Sequence, residues 1–166
     1  MVALFELTEP EKAKKIMETI LNDMTIINPQ PYFMHFVMEA IYKTGLFEKY
    51  GLKQLKRWEC MTDFEKGLQE GWYAPGDYKF DYSHVWAGTP TYQLPSKFMG
   101  FEMIEPGFKK ISLNPDLYGL DYAEIKMPTP YGDISVNLKK GENPEIKCAG
   151  IIKNISGKYI ISFFDE

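Results

Sequence analysis

Histidine and cysteine are nearly absent: the 166 residues include two of each, His35, His84, Cys60 and Cys148. Two cysteines far apart in the chain, without metal-ligand spacing, exclude a disulfide framework and give no support to a zinc site. Two buried thiols are the expectation, and no metal or cofactor is expected. Basic residues are neither abundant nor clustered. With 19 Lys and Arg against 23 Asp and Glu, the net charge is −4, and no electropositive stripe marks a nucleic-acid partner. No apolar run approaches the ~18 residues of a membrane span, so no membrane partner is expected. The opening "MVALFELTEPEKAKK" lacks the basic start, unbroken apolar stretch and small-residue cleavage site of a secretory signal. The compartment expected by default is the cytoplasm. There is no HExxH, no glycine-rich phosphate loop and no serine in a nucleophile elbow, so zincins, nucleotide enzymes and hydrolase triads all lose support.

Apolar periodicity is plentiful, and it changes near residue 100. Before that point it is helical. Thr8 followed by Glu11 reads as a capping box with Pro10 in the first turn, and Ala13, Ile16, Met17, Ile20, Leu21 and Met24 recur at helical spacing. After "NPQP", a second helix runs through Tyr32, Phe33, Phe36, Val37, Ala40 and Ile41 to about Gly45, wide-faced and expected to be buried. A third spans Leu46 to Met61, weakened by Gly51, with Leu52, Leu55, Trp58 and Met61 inward. A shorter fourth runs from about Gly88 to Met99 despite Pro90 and Pro95.

Beyond Gly100 the period is two: Ile111 and Leu113; Ala123, Ile125 and Met127; Ile134, Val136 and Leu138. "TPYGD" predicts a hairpin turn, and "NISG" at 154 to 157 predicts another between strands carrying Ile151 and Ile160. Five or six short antiparallel strands suggest a sandwich. The fold class expected is α+β, with a helical domain over 1–100 and a β-sandwich over 101–166.

Between the third and fourth helices, "EKGLQEGWYAPGDYKFDYSHVWAG" sets six aromatic residues around Glu70 and His84, with too many Gly, Pro and Asp interruptions for a helix. Ring faces beside carboxylates suit a sugar, whose C–H faces stack on rings while its hydroxyls need polar partners. The plain alternative is a rigid surface loop packed on the core. Glu70, between Gly67 and Gly71, can project from a turn, and Trp72 and Tyr73 can lower the dielectric around it, which suits a general base. A solvated loop acid is the competing reading. His84 has Asp81 three residues before it. Taken alone, a histidine bonded inside the core is the simpler account; for His35, in the second helix among Met34 and Phe36, a packed or partly exposed structural role is the default. Glu59, beside Trp58 within a helix, is the weaker acid candidate.

Five blocks in order, "PYFMHFVMEAIYKTGLFE", "GLQEGWYAP", "FDYSHVWAGTPTYQLP", "GFEMIEPGFKKISLNP" and "AEIKMPTPYGDISV", resemble the C-terminal part of the bacterial α-L-rhamnosidases, glycoside hydrolase family 78. The resemblance implies that residues 1–100 are the last helices, about four, of an (α/α)6 six-hairpin barrel, and that 101–166 are the β-sandwich that follows it. It implies hydrolysis of terminal α-L-rhamnose with inversion. In such a reaction one carboxylic acid protonates the leaving oxygen while a second carboxylate, about 6.5–9.5 Å away, activates water on the opposite face.

By the same resemblance Glu70 matches the general base, His84 a histidine lining the sugar site, and Trp72 and Trp86 its walls. "GLQEGW" departs from the commoner family wording, in which Thr residues precede the acid and a Trp sits beside it. The general acid comes from earlier barrel helices, so a chain without them is expected to be nearly inactive and to expose helix faces that drive association. Rhamnose-containing glycosides are the implied substrates, and the N-terminal remainder of the enzyme or a second copy the implied partner. A non-catalytic carbohydrate-binding module and a structural interaction domain remain as alternatives.

Overall fold

The computed structural model describes residues 1–62, 67–72 and 84–164. The chain divides into two compact units, Met1–Gln93 and Leu94–Glu166. The change of periodicity at 100 marks where helix gives way to strand, whereas the compact units divide earlier, inside the last helix.

In the first unit, helix α1 (Pro10–Asn22) buries Ala13 and Met17. The expected capping box is not formed. The cap falls on Glu9, with no side-chain hydrogen bond, because Pro10 at the first helical position holds the preceding residue extended at φ −57° and ψ 144°. Helix α2 (Pro31–Lys43) buries Met34, Met38, Ala40 and Ile41. It is not buried all round, as its apolar width suggested: Tyr32 and Phe33 are 44% and 42% exposed. Its end follows from Gly45, at φ 69°. The Leu46 N–H reaches Ile41 O and the Gly45 N–H reaches Tyr42 O, the Schellman arrangement that satisfies the last carbonyls.

Helix α3 (Phe47–Leu55) buries Phe47, Tyr50 and Leu55. The expected single helix to Met61 instead tightens into a 3-10 turn at Lys56–Trp58 and resumes as the one-turn helix α4 (Glu59–Thr62). Gly51 is not the weak point. The Phe47 ring lies against it, where a Cβ would come within 2.8 Å of ring atoms. Trp58 and Met61 are buried as the spacing predicts. A second 3-10 turn, Val85–Gly88, leads into helix α5 (Pro90–Met99).

The second unit begins inside α5, whose Phe98 and Met99 are buried. Seven strands follow, where the turn signals suggested five or six: β1 (Glu102–Glu105), β2 (Lys110–Leu113), β3 (Tyr122–Met127), β4 (Ile134–Lys139), β5 (Glu145–Lys147), β6 (Ile151–Ile155) and β7 (Lys158–Ser162). The short β1 and β5 are the unanticipated ones; each carries two charged residues and no period-two apolar face. They form two antiparallel sheets, ordered β1-β2-β7-β6 and β3-β4-β5. Ile111, Leu113 and Ile161 are buried on the first, and Ile125, Ile134, Val136 and Leu138 on the second; β4 alternates as the inner face of a β-sandwich does, whereas β2 buries Ser112 on its other face as well. Both predicted turns fall between paired strands. On β7 Ile161 is fully buried and Ile160 half-buried. The thiols are not both buried: Cys60 is exposed, and Cys148 is half-buried, which pushes its thiol pKa up.

Gly100 closes α5 by the same Schellman geometry, with Phe101 N–H to Ser96 O and Gly100 N–H to Lys97 O, at φ 57°. Here a Cβ would overlap the Asn114 carbonyl oxygen, whereas at Gly45 nothing lies within 4 Å. Gly45→Ala is therefore expected to destabilise its unit by about 1 kcal/mol, the cost of a left-handed residue alone. Gly100→Ala is expected to cost at least about twice that. Urea unfolding of the two variants checks the difference; equal losses would remove the steric account.

Glu102 accepts hydrogen bonds from Lys158 Nζ (3.1 Å) and Ser112 Oγ (3.2 Å), which hold its carboxyl below the ordinary value of 4.5. A depressed folded pKa gives stability that is present above the ordinary value and lost as pH falls through the folded one. The pair is largely exposed, so the effect is at most about 1 kcal/mol. Wild type is expected to exceed Glu102→Gln in stability at neutral pH and to lose that advantage below pH 4.5, read from denaturation at a series of pH values.

Candidate active-site rim

The segment 67–72 has no regular secondary structure, so its course is set by bonds to its neighbours. Gly67 turns the chain at φ 84°. Gln69 and Gly71 are buried, and between them Glu70 is exposed. One side of the segment is tied by Leu68 O, which accepts the His84 backbone N–H at 2.9 Å. The other side is tied by Trp72: its backbone N–H bonds Gln30 Oε1 at 3.1 Å, and its indole Nε1–H bonds Pro29 O at 2.7 Å. Glu70 thus projects to solvent from a segment held two residues away on each side.

Two further contacts fix the same region. The Trp72 ring meets Trp58 edge-on, with centroids 4.7 Å apart, and the Arg57 guanidinium lies 4.1 Å from the Trp72 ring centroid. Trp58 in turn donates its Nε1–H to Ala87 O at 2.7 Å, inside the 3-10 turn that His84 begins. His84 is half-buried, and its ring stands edge-on to Trp86 at 5.7 Å. Trp86, 62% exposed, packs on Tyr32 of α2 at 4.7 Å.

The four candidate residues therefore sit in two environments. Glu70 and His84, fourteen positions apart, are brought to adjoining segments by the Leu68–His84 bond. Trp86 stands beside His84 and is open to solvent. Trp72 is turned inward, its N–H taken by Pro29 and a ring face covered by Arg57. Tyr73 and Asp81, invoked for their effects on Glu70 and His84, lie outside the described residues, and Glu59 is exposed on α4.

A polar seam between α2 and α5 was missed from the sequence, where His35 read as a packed or partly exposed structural residue. His35 Nδ1 lies 2.9 Å from Thr89 Oγ1 and 3.3 Å from Gln93 Nε2. Gln93 Nε2 also donates to Glu39 Oε1 at 2.9 Å, which fixes the amide orientation, since a carboxylate accepts only from the NH2 group. With Gln93 donating, Nδ1 accepts and the ring proton belongs on Nε2. Two spacings of four, His35/Glu39 and Thr89/Gln93, carried the signal: each puts two polar groups on one helix face. Gln93 Oε1 is buried without a hydrogen-bond partner among the described residues. No group of three or more His, Cys, Asp or Glu among the described residues is placed to hold a metal, and no described helix is long and apolar enough to cross a membrane.

Residues 100–146 match the family described as the bacterial alpha-L-rhamnosidase C-terminal domain. No curated protein matches the chain at a significant level.

Removing the Trp58 indole donor leaves Ala87 O buried and unbonded. Trp58→Phe is expected to cost about 1–3 kcal/mol and to loosen the turn that starts at His84. Urea denaturation gives the first, and faster amide exchange at His84 than in wild type gives the second.

Proposed function

We propose, from the match of residues 100–146 to the bacterial alpha-L-rhamnosidase C-terminal domain, that the chain works as the C-terminal portion of an inverting glycosidase that removes terminal α-L-rhamnose from glycosides. In this reading the helical unit belongs to a six-hairpin barrel, and Glu70 is the carboxylate that activates water. His84 hydrogen-bonds sugar hydroxyls, Trp86 offers a ring face, and Trp72 braces the wall from behind. The general acid is supplied by earlier barrel helices, which are the partner.

The observation that supports the reading is the Leu68–His84 backbone bond, which joins the segment of the exposed Glu70 to that of the half-buried His84 and the solvent-open Trp86. A carboxylate open to water and flanked by a hydroxyl-binding group is what the water side of an inverting site requires. The apolar face formed by Tyr32, Phe33, Val85 and Trp86, all exposed, is a surface on which neighbouring barrel helices, or a second copy, can pack. The same exposed Trp86–Tyr32 pair favours one other reading, a carbohydrate-binding module without catalysis.

The test is hydrolysis of p-nitrophenyl α-L-rhamnopyranoside by the chain with and without the earlier barrel helices supplied as a second polypeptide. Turnover is expected only in the combined sample, and Glu70→Gln is expected to lower kcat by ~10²- to 10⁴-fold. Undiminished turnover in Glu70→Gln would overturn the assignment of the base. Rhamnose binding without turnover in the combined sample would favour the binding module.

A further inference from the structure

Away from the rim, a cavity of about 220 Å³ lies among the end of α1, the 23–29 connection, α2 and the end of α3. Its polar lining includes Asp23, Lys53, Gln54 and Arg57, and Met24 and Ile27 stand at it. Arg57 is half-buried, and burial draws its guanidinium pKa down because the charged form has lost solvation. One face of the guanidinium is covered by the Trp72 ring. Its Nη1 has two long contacts, 3.4 Å to Gln54 Oε1 and 3.5 Å to Met34 Sδ. No carboxylate of the described residues pairs with it.

Asp23, the acid at the cavity, is engaged elsewhere: its Oδ1 accepts the Thr25 backbone N–H at 2.9 Å and hydroxyl at 2.7 Å. A half-buried guanidinium with five donors in a fixed fork and no carboxylate on it among the described residues offers a site for a planar oxyanion.

We propose that this cavity binds a small monocarboxylate with an apolar body, its carboxylate on Arg57 and its apolar part against Leu21, Met34 and Val37. Three observations select that class. Lys53 and Arg57 against Asp23 leave one net positive charge at the cavity, which matches a monoanion and disfavours a dianionic phosphate beside Asp23. Ile20, Leu21, Met34 and Val37 line the cavity, and all but Ile20 are buried or half-buried, so an apolar body finds cover that an inorganic ion would not use. The volume is below the ~300–1,000 Å³ of drug-sized sites, so the acid is small. The site stands independently of the rhamnosidase reading.

Butyrate is the probe, with 1-butanol as its uncharged counterpart and inorganic phosphate as the other anion. Nitrogen-15 NMR of the whole chain follows the Trp72 indole and the Arg57 side chain. Butyrate is expected to shift both saturably in the millimolar range, and neither butanol nor phosphate should do so. Lys53→Glu, an exposed change one helical turn before Arg57, places an internal carboxylate beside the guanidinium. It is expected to weaken butyrate binding by roughly tenfold or more while leaving the fold intact, and Arg57→Gln should abolish binding. No saturable shift with butyrate, equal binding of butanol or of phosphate, or butyrate affinity unchanged in Lys53→Glu would each overturn the proposal.

Discussion

Buried hydrogen-bond donors must find acceptors, and in the helical unit two indoles use that requirement to fix chain that has no ladder of its own. Trp72 Nε1–H reaches Pro29 O and Trp58 Nε1–H reaches Ala87 O, both at 2.7 Å. The acceptors are backbone carbonyls of connecting segments, whose polar groups would otherwise be left without partners. The two rings then meet edge to face, so the α1–α2 connection, the 3-10 turns and the Glu70 segment share one support. Glu70 and His84 depend on it, since neither lies in a helix or strand that would position it independently.

Much of the framework was legible because it follows from one-dimensional pattern. The period-two burial of Ile134, Val136 and Leu138 appears as β4, and "TPYGD" and "NISG" separate antiparallel partners. Gly45 ends α2 where a left-handed residue was needed. The failures came from contacts and backbone restrictions that periodicity does not encode. Proline at the first position of α1 moved the cap from Thr8 to Glu9. The ring of Phe47 made Gly51 a packing requirement in the middle of α3. Pattern also says nothing about which of two apolar faces on α2 is covered, so Tyr32 and Phe33 read as core and stand exposed. Strand β6 is similar: Ile151, Ile152 and Ile155 carry the composition of a buried strand and lie exposed at the edge of the four-stranded sheet.

The candidate site was legible as a set of residue types and not as an arrangement. Acid, histidine and rings in one irregular stretch suggested a sugar pocket, but sequence could not assign different tasks to Trp72 and Trp86. The structure turns the first inward onto Arg57 and Trp58 and leaves the second in solvent. Spacing could put His35 with Glu39, and Thr89 with Gln93, on one face each, but the two pairs come from segments more than fifty positions apart, and no local pattern brings them together. Arg57 was invisible for another reason. A basic residue near the end of a helix reads as an ordinary surface cation, and only its stacking on Trp72 and its lack of a carboxylate partner among the described residues set it apart.

The dependence of the rim on two indole bonds is open to a direct measurement. The chain has three tryptophans, hence three indole N–H signals, and solvent exchange of each can be timed by nitrogen-15 NMR. Trp58 and Trp72 are expected to exchange slowly while Trp86, which is 62% exposed, exchanges fast. A Trp72 indole exchanging as fast as that of Trp86 would mean that the bond to Pro29 does not hold in solution and that Glu70 is not positioned as described.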